Sequence, residues 1–141
     1  MAAAWCQRHL EDEFIVAEIR SAGTHAWDGA EAAGYAADAM RELDFDLRGH
    51  RSQRLTAELI AWADHVVVME PMHEELAREL GASGDSSPMI HGLWAYLDGS
   101  ASEVWDPQGT DLDSYRRSAR EIGGAMRRLI GQILQQQRGR T

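Results

Sequence analysis

The sequence predicts an α/β protein built on a parallel sheet. Two observations carry this prediction: segments with helical periodicity alternate with short runs of β-branched residues, and no segment repeats. A chain of 141 residues has the length of one domain with a single core. Its composition, 44% hydrophobic and 26% charged with 3 prolines, is ordinary for a folded protein and argues against a disordered one.

The first half of the chain reads as a helix, a strand, a loop and a second helix. Residues 2–10 are rich in alanine and contain no helix breaker. Residues 14–19 form a short apolar run with β-branched members, which is typical of a strand. A turn follows at residues 21–24, its loop continues to about Gly29, and the alanine-rich residues 30–43 favour a helix.

The middle of the chain continues the alternation. Three consecutive valines in residues 66–69 predict a buried strand. Pro71 suits the first turn of a helix that reaches about Leu80, and Gly81 is its stop signal. Three weaker predictions follow: loops at residues 81–87 and 98–110, and between them, at residues 89–97, a short strand followed by a helical turn.

The last long segment, residues 112–134, carries the strongest helical signal. Its apolar residues recur on one face of the helix: Ile122, Met126, Leu129, Ile130, Ile133 and Leu134. We therefore expect the domain to span residues 1–134 and residues 135–141 to form a polar tail.

Charge and cysteine content exclude several classes of function. Fourteen Lys and Arg against 23 Asp and Glu give a net charge of −9, which argues against nucleic-acid binding. Cys6 is the only cysteine, so neither an internal disulfide nor a multi-cysteine zinc site can form. Because Cys6-x-x-His9 has no second pair at a finger-like distance, we predict no metal site and no cofactor. No apolar run is long enough for a membrane span and no signal peptide is recognisable, so we expect a cytoplasmic protein.

Several short segments, taken in order, resemble the low-molecular-weight protein tyrosine phosphatase family. They are Ser-Ala-Gly-Thr at residues 21–24 with Trp27 behind it, the polar segment 46–56, the strand 66–69, and Trp-Asp-Pro-Gln-Gly at residues 105–109 ahead of the long helix. No single motif is specific, but the ordered set covers nearly the whole chain. The resemblance implies a three-layer, Rossmann-like fold around a four-stranded parallel sheet.

The resemblance also implies a segment that this sequence does not contain. The family's chain opens with a strand and a phosphate-binding loop, C-x5-R-S-P, and the residues after that loop resemble residues 1–5 here. We therefore expect this chain to begin past the nucleophile loop, without the first, central strand of the sheet. Loss of a central strand leaves backbone groups unpaired. An unstable, rearranged or homodimeric chain is the expected result.

Cys6 does not replace the absent nucleophile. The pattern C-x5-R would need an arginine at position 12, where Asp12 stands. A thiol inside an alanine-rich helix also lacks the amide nest or helix N-terminus that lowers a thiol pKa. Cys6 is predicted to be a small core or surface residue.

The general acid of the family matches Asp106. Protonating a phenolate, whose conjugate acid has a pKa of about 10, lowers the barrier to breaking the ester bond. Pro107 biases Asp106 towards an extended conformation, although an Asp-Pro pair can also simply start a turn. Gln108 stands where the family often has an aromatic residue, which weakens ring stacking by this loop.

Three other residues match binding or support positions of the family. Trp27 matches an aromatic residue beside the substrate cleft, and its alternative is to cover the edge of the core. Ser21 and His50 match polar residues that brace the phosphate loop through hydrogen bonds. The alternative for His50 is a loop histidine satisfied by local contacts.

The resemblance implies hydrolysis of phosphotyrosine-type monoesters of proteins through a phosphocysteine, without a cofactor. Three alternatives stay open. Residues 106–109 and the arginine-rich last helix look closer to the bacterial branch that includes protein arginine phosphatases. A non-catalytic remnant or binding module is the second alternative. Arsenate reductase is the weakest, because its thiol relay needs more than one cysteine.

Overall fold

The computed structural model describes residues 1–81 and 87–140, and eight elements follow one another in them. In chain order they are α1 (Ala2–Asp12), α2 (Gly34–Arg41), α3 (Ala57–Trp62), β1 (His65–Val68), α4 (Pro71–Gly81), β2 (Met89–Gly92), a 3-10 helix (Leu93–Tyr96) and α5 (Leu112–Arg138). None of these helices is long and apolar enough to cross a membrane.

The sheet is parallel, as predicted. β1 pairs with β2 so that His65 lies opposite Met89 and Val68 lies opposite Gly92. Gly23 and Arg54 add one isolated parallel bridge. The α/β class is confirmed, but the described residues hold two strands and a bridge, fewer than the four-stranded sheet without its first strand that the resemblance implied.

Residues 14–19, predicted as a strand, do not form one. Phe14 adopts a left-handed conformation, with φ of 58°, and the Ile15 N–H donates to the Leu10 carbonyl at 2.8 Å. This is the Schellman arrangement that ends α1. Beyond it Val16 is 100% exposed, and no described strand bonds to the segment. A β-branched run needs a neighbouring strand to become part of a sheet, so its propensity alone does not suffice.

The core consists of two apolar clusters, both built on α5. The larger one contains Leu93, Val104, Ile122, Ala125, Met126, Leu129 and Ile130. The smaller one joins α2 to α5 and contains Ala39, Met40, Tyr115 and Ala119. Met1 and Trp5 pack against both clusters. Helix α1 therefore lies across the junction between the two parts of the core.

Close contact between α1 and α5 depends on a glycine. The Trp5 indole N–H donates to the Ala119 carbonyl at 2.9 Å, and the ring Nε2 of buried His9 lies 3.1 Å from the Gly123 carbonyl oxygen. A methyl group on Gly123 would lie 2.5 Å from Cε2 of Trp5. Gly123 thus leaves the space that the indole occupies.

Several helices differ in extent from the predictions, and one was missed. α5 continues to Arg138, past the predicted end at residue 134, because its glutamines and Arg138 are good helix formers. α2 begins at Gly34 rather than at residue 30, since the Ala30 carbonyl accepts the Ser52 N–H at 2.8 Å. The short α3 was not predicted. Within the predicted loop at residues 81–87, residues 82–86 lie outside the described residues.

Candidate functional site

The loop that carries Asp106 is fastened to the end of β1. The N–H of buried Val104 donates to the Met69 carbonyl at 2.8 Å, directly after the last residue of the strand. Ligand sites of parallel α/β sheets lie outside the carboxyl ends of the strands. The Asp106 loop therefore starts at the edge of the sheet where such sites form.

Local hydrogen bonds fix the Asp106 side chain. Its Oδ1 accepts the Gln108 N–H at 3.0 Å, an Asx turn in which the side chain imitates a backbone turn. Pro107 is buried, and its carbonyl accepts both the N–H and the hydroxyl of Thr110. Asp106 itself is exposed. The result is a carboxylate of fixed orientation that solvent and a ligand can reach.

Helix α5 starts just after this loop. Oδ1 of Asp111 accepts the Ser114 N–H at 2.9 Å, which caps the helix. The hydrogen bonds from Ser114 lower the pKa of Asp111. A charged cap fixes the point where the loop ends and the helix begins.

Ser21 and His50 line one cleft of about 430 Å³, together with Asp46 and Met1. The start of α1, residues before and within α2, and one residue after α2 complete its wall: Ala3, Ala4, Ala32, Ala33, Ala36 and Leu47. The Ser21 carbonyl accepts the side-chain amide of Gln53 at 2.9 Å, which ties Ser21 to the segment after His50. The two predicted support residues thus share one cavity wall.

Two titratable side chains, His50 and Asp46, set the electrostatics of this cleft. Burial lowers the pKa of His50, and the N-terminal ammonium and Arg51 lower it further. His50 is therefore neutral at pH 7 and can both donate and accept a hydrogen bond. Hydrogen bonds from the Arg48 side chain and its N–H lower the pKa of Asp46 to about 2. Asp46 stays ionised, with its charge offset by Arg48.

Trp27 lies on a loop held by the segment 52–54. Its carbonyl accepts the Ser52 hydroxyl, and Oδ1 of Asp28 accepts the Arg54 N–H at 2.8 Å. The indole is 86% exposed, so it does not cover the edge of the core. Neither Trp27 nor Asp106 is among the residues that line the cleft of Ser21 and His50.

Cys6 lies within α1 and packs against the larger apolar cluster. Burial raises the pKa of its thiol. A reactive cysteine needs the opposite shift, since the thiolate is the nucleophile. The thiol therefore has the character of a packing residue.

Sequence reasoning missed two groups at the cleft. The ammonium of Met1 lowers the pKa of His50, and nothing in a sequence predicts that the chain terminus lies beside a particular histidine. No role was assigned to Asp46 from the sequence. Its spacing from Arg48, two residues along the chain, is nevertheless short enough to indicate a local ion pair. That pair forms, with 2.8 Å between Nη2 of Arg48 and Oδ2 of Asp46.

Comparisons with known proteins agree with this architecture. The family model described as low molecular weight phosphotyrosine protein phosphatase matches residues 1–139. The protein-arginine-phosphatase of Bacillus subtilis (strain 168) is 32% identical over 139 residues, which is 98% of this chain and 90% of the relative. The chain belongs to the low molecular weight phosphotyrosine protein phosphatase family.

Other members of the family extend the comparison. The probable low molecular weight protein-tyrosine-phosphatase AmsI of Erwinia amylovora is 30% identical over 109 residues, covering 77% of this chain and 73% of the relative. The crystal structure of a YwlE mutant from Bacillus subtilis superposes with a TM-score of 0.81 at 30% identity, covering 94% of this chain and 87% of that one. The family fold inferred from the ordered motifs is confirmed.

Proposed function

We propose that this phosphatase-family chain supplies the general acid, Asp106, for the hydrolysis of phosphotyrosine-type monoesters of proteins in the cytoplasm. The observation that carries the proposal is the Asp106 carboxyl group: it is exposed, held in an Asx turn, and attached through Val104 to the carboxyl end of β1. A carboxyl group in that position can protonate the oxygen of a leaving phenolate.

The reaction has two steps. A thiolate attacks phosphorus, the bond from phosphorus to the ester oxygen breaks, and Asp106 gives its proton to that oxygen. Water then attacks the phosphocysteine, the bond between phosphorus and sulfur breaks, and the Asp106 carboxylate takes the proton of the water. One carboxyl group serves as acid and then as base.

We further propose that the 141 residues alone do not turn over substrate. The first step needs a thiolate among amide donors and a bidentate arginine. The sequence contains no C-x5-R pattern, and burial raises the pKa of its one thiol. In this proposal residues 1–141 contain the general acid and the supporting groups, but not the nucleophile.

The remaining site residues receive supporting roles. The exposed face of Trp27 would contact the phenyl ring of the substrate. Ser21 and neutral His50, which share one cleft wall, would hydrogen-bond to a phosphate-binding loop and hold it in place. Neither of the two touches phosphorus in this assignment.

The first experiment uses the 141-residue chain with p-nitrophenyl phosphate. We expect neither a burst nor turnover, the same result for Cys6→Ser, and no rise in melting temperature with vanadate, because a ligand that binds the native state must stabilise it. Turnover that is lost in Cys6→Ser would disprove the assignment of Cys6.

The second experiment reads the genomic DNA upstream of the Met1 codon. If a C-x5-R-S-P sequence lies there in frame, the longer chain should hydrolyse p-nitrophenyl phosphate. Asp106→Asn should then lower kcat by about 10²–10⁴-fold. The control is Asp98→Asn, at an exposed aspartate near the start of the loop, with an unchanged kcat. Equal kcat values in both variants would refute the role of Asp106. A stop codon in frame directly upstream of the Met1 codon would instead favour a non-catalytic module.

Phosphoarginine is the second candidate substrate. The observation that favours it is the similarity to two proteins named protein-arginine-phosphatase, at 32% and 28% identity over 98% and 85% of this chain. Parallel assays of the active chain on phosphoarginine and phosphotyrosine peptides decide between the two, since the larger kcat/KM identifies the substrate class.

A further inference from the structure

Two histidines meet on one face of the sheet, and neither is among the residues that line the cleft of Ser21 and His50. His65 pairs with Met89, and His91 pairs with Val67, so the histidines occupy diagonal positions on neighbouring strands. Side chains alternate along a strand, which places both rings on the same face. Nδ1 of His65 lies 3.0 Å from Nε2 of His91, and the rings stack with centroids 5.2 Å apart.

The distance between the two nitrogens corresponds to a known coordination geometry. With metal–nitrogen bonds of about 2.0–2.1 Å, two nitrogens in cis positions of a square plane are about 2.8–3.0 Å apart, and two in a tetrahedron about 3.3–3.4 Å. The observed 3.0 Å fits the square plane. Square-planar nitrogen sites favour Cu²⁺ or Ni²⁺, and Cu²⁺ binds more tightly in the series of divalent ions.

We propose that His65 and His91 form a copper(II) site. The metal binds between Nδ1 of His65 and Nε2 of His91, in place of the proton that these two nitrogens share. Both rings are then neutral, and each carries its proton on its other nitrogen, Nε2 of His65 and Nδ1 of His91. No third His, Cys, Asp or Glu joins them within residues 1–81 and 87–140, so water completes the coordination plane.

The strands hold the two ligands in advance of binding. The register of β1 and β2 fixes both Cα positions, and χ2 is a soft torsion in histidine, so each ring can turn towards a shared metal ion without moving the backbone. Met89 on the same face is 44% exposed, and both histidines are half-buried, which leaves a path from solvent. A preorganised pair with an open approach is what a two-ligand site requires.

The test titrates Cu²⁺ into the Cys6→Ser chain at pH 7, because Cu²⁺ oxidises free thiols. Calorimetry should give one ion per chain, and electron paramagnetic resonance should show hyperfine coupling to two imidazole nitrogens. His65→Gln and His91→Gln should each weaken binding by at least about tenfold. His25→Gln and His73→Gln, at histidines outside the sheet, should leave the affinity unchanged.

Three results would overturn the site. They are the absence of binding, equal affinity in His65→Gln, His91→Gln and the control variants, and a spectrum with one coupled nitrogen. Circular dichroism of each variant separates loss of the site from loss of the fold. If a variant unfolds, nuclear magnetic resonance of the Cys6→Ser chain decides instead. Paramagnetic Cu²⁺ must then broaden the ring signals of His65 and His91 before those of His25.

Discussion

At the scale of single residues, Cys6 shows how the surroundings decide chemistry. The side chain has the atoms of a nucleophile, but it lies in α1 against the larger apolar cluster, and burial raises the pKa of its thiol. The folded chain therefore disfavours the thiolate. This stabilises the fold below the unfolded pKa of about 8.5, and the contribution is lost as pH rises through the higher folded value.

We predict that the Cys6→Ala chain loses less stability than the parent chain between pH 8 and pH 10. Urea unfolding at several pH values measures the difference, and iodoacetamide should label Cys6 more slowly in the folded chain than in urea. Faster labelling of the folded chain would show an activated thiol and contradict the assignment.

Site residues differ in how far the sequence predicts them. Asp106 is found through the Asp-Pro pair within an ordered set of motifs, because loop chemistry is local. The shared cleft of Ser21 and His50 joins residues distant in the chain, and the resemblance, not periodicity, suggested it. The His65–His91 contact depends on strand register, which periodicity does not specify.

At the scale of elements, α5 combines a long apolar face with one position where only glycine fits. Gly123 lies under the Trp5 ring, whereas a methyl group on Gly131 would have no neighbour within 4 Å. The Trp5 indole is held by its hydrogen bond to Ala119, so it cannot move aside without losing that bond. Gly131 therefore has room for a side chain, whereas Gly123 does not.

We predict opposite effects for two identical substitutions. Gly131→Ala should stabilise the chain by about 0.5–1 kcal/mol, through helix propensity. Gly123→Ala should destabilise it by about 1–3 kcal/mol, through overpacking against Trp5. Urea denaturation of both variants provides the measurement. Stabilisation by Gly123→Ala would show that the α1–α5 contact is looser than the structure indicates.

Elements with a strong internal signal are predicted well, and those that depend on partners are not. Residues 112–134 and residues 71–80 gave clear helical patterns, and α5 and α4 form there. α3 is only one and a half turns long, too short to show a period. Residues 14–19 have strand propensity but no strand beside them.

At the scale of the whole molecule, one edge of β1 has no partner in the described part of the chain. The Asp64 carbonyl accepts the Met89 N–H at 2.9 Å, so the ladder to β2 uses the backbone groups of Val66 and Val68. Those of His65 and Val67 point to the other edge. A homodimer is one of the three results expected from the sequence, and we propose that a second copy would pair at this edge.

We predict that hydrogen exchange alternates along β1 in the monomer. The amides of Val66 and Val68 should be protected, and that of Val67 should exchange at least about tenfold faster, since it lacks an acceptor. Nuclear magnetic resonance resolves the single amides. Protection of Val67 at high concentration that disappears on dilution would indicate a second copy at this edge, and protection at every concentration would refute an open edge.

Helix α1 has a consequence for how the molecule melts. Because Met1 and Trp5 contact both apolar clusters, neither cluster can lose its order without exposing side chains that also cover the other. Heating should thus produce a single calorimetric endotherm. A protease that detaches the first dozen residues would remove this shared cover, and α5 would then carry the thermal coupling between the two clusters.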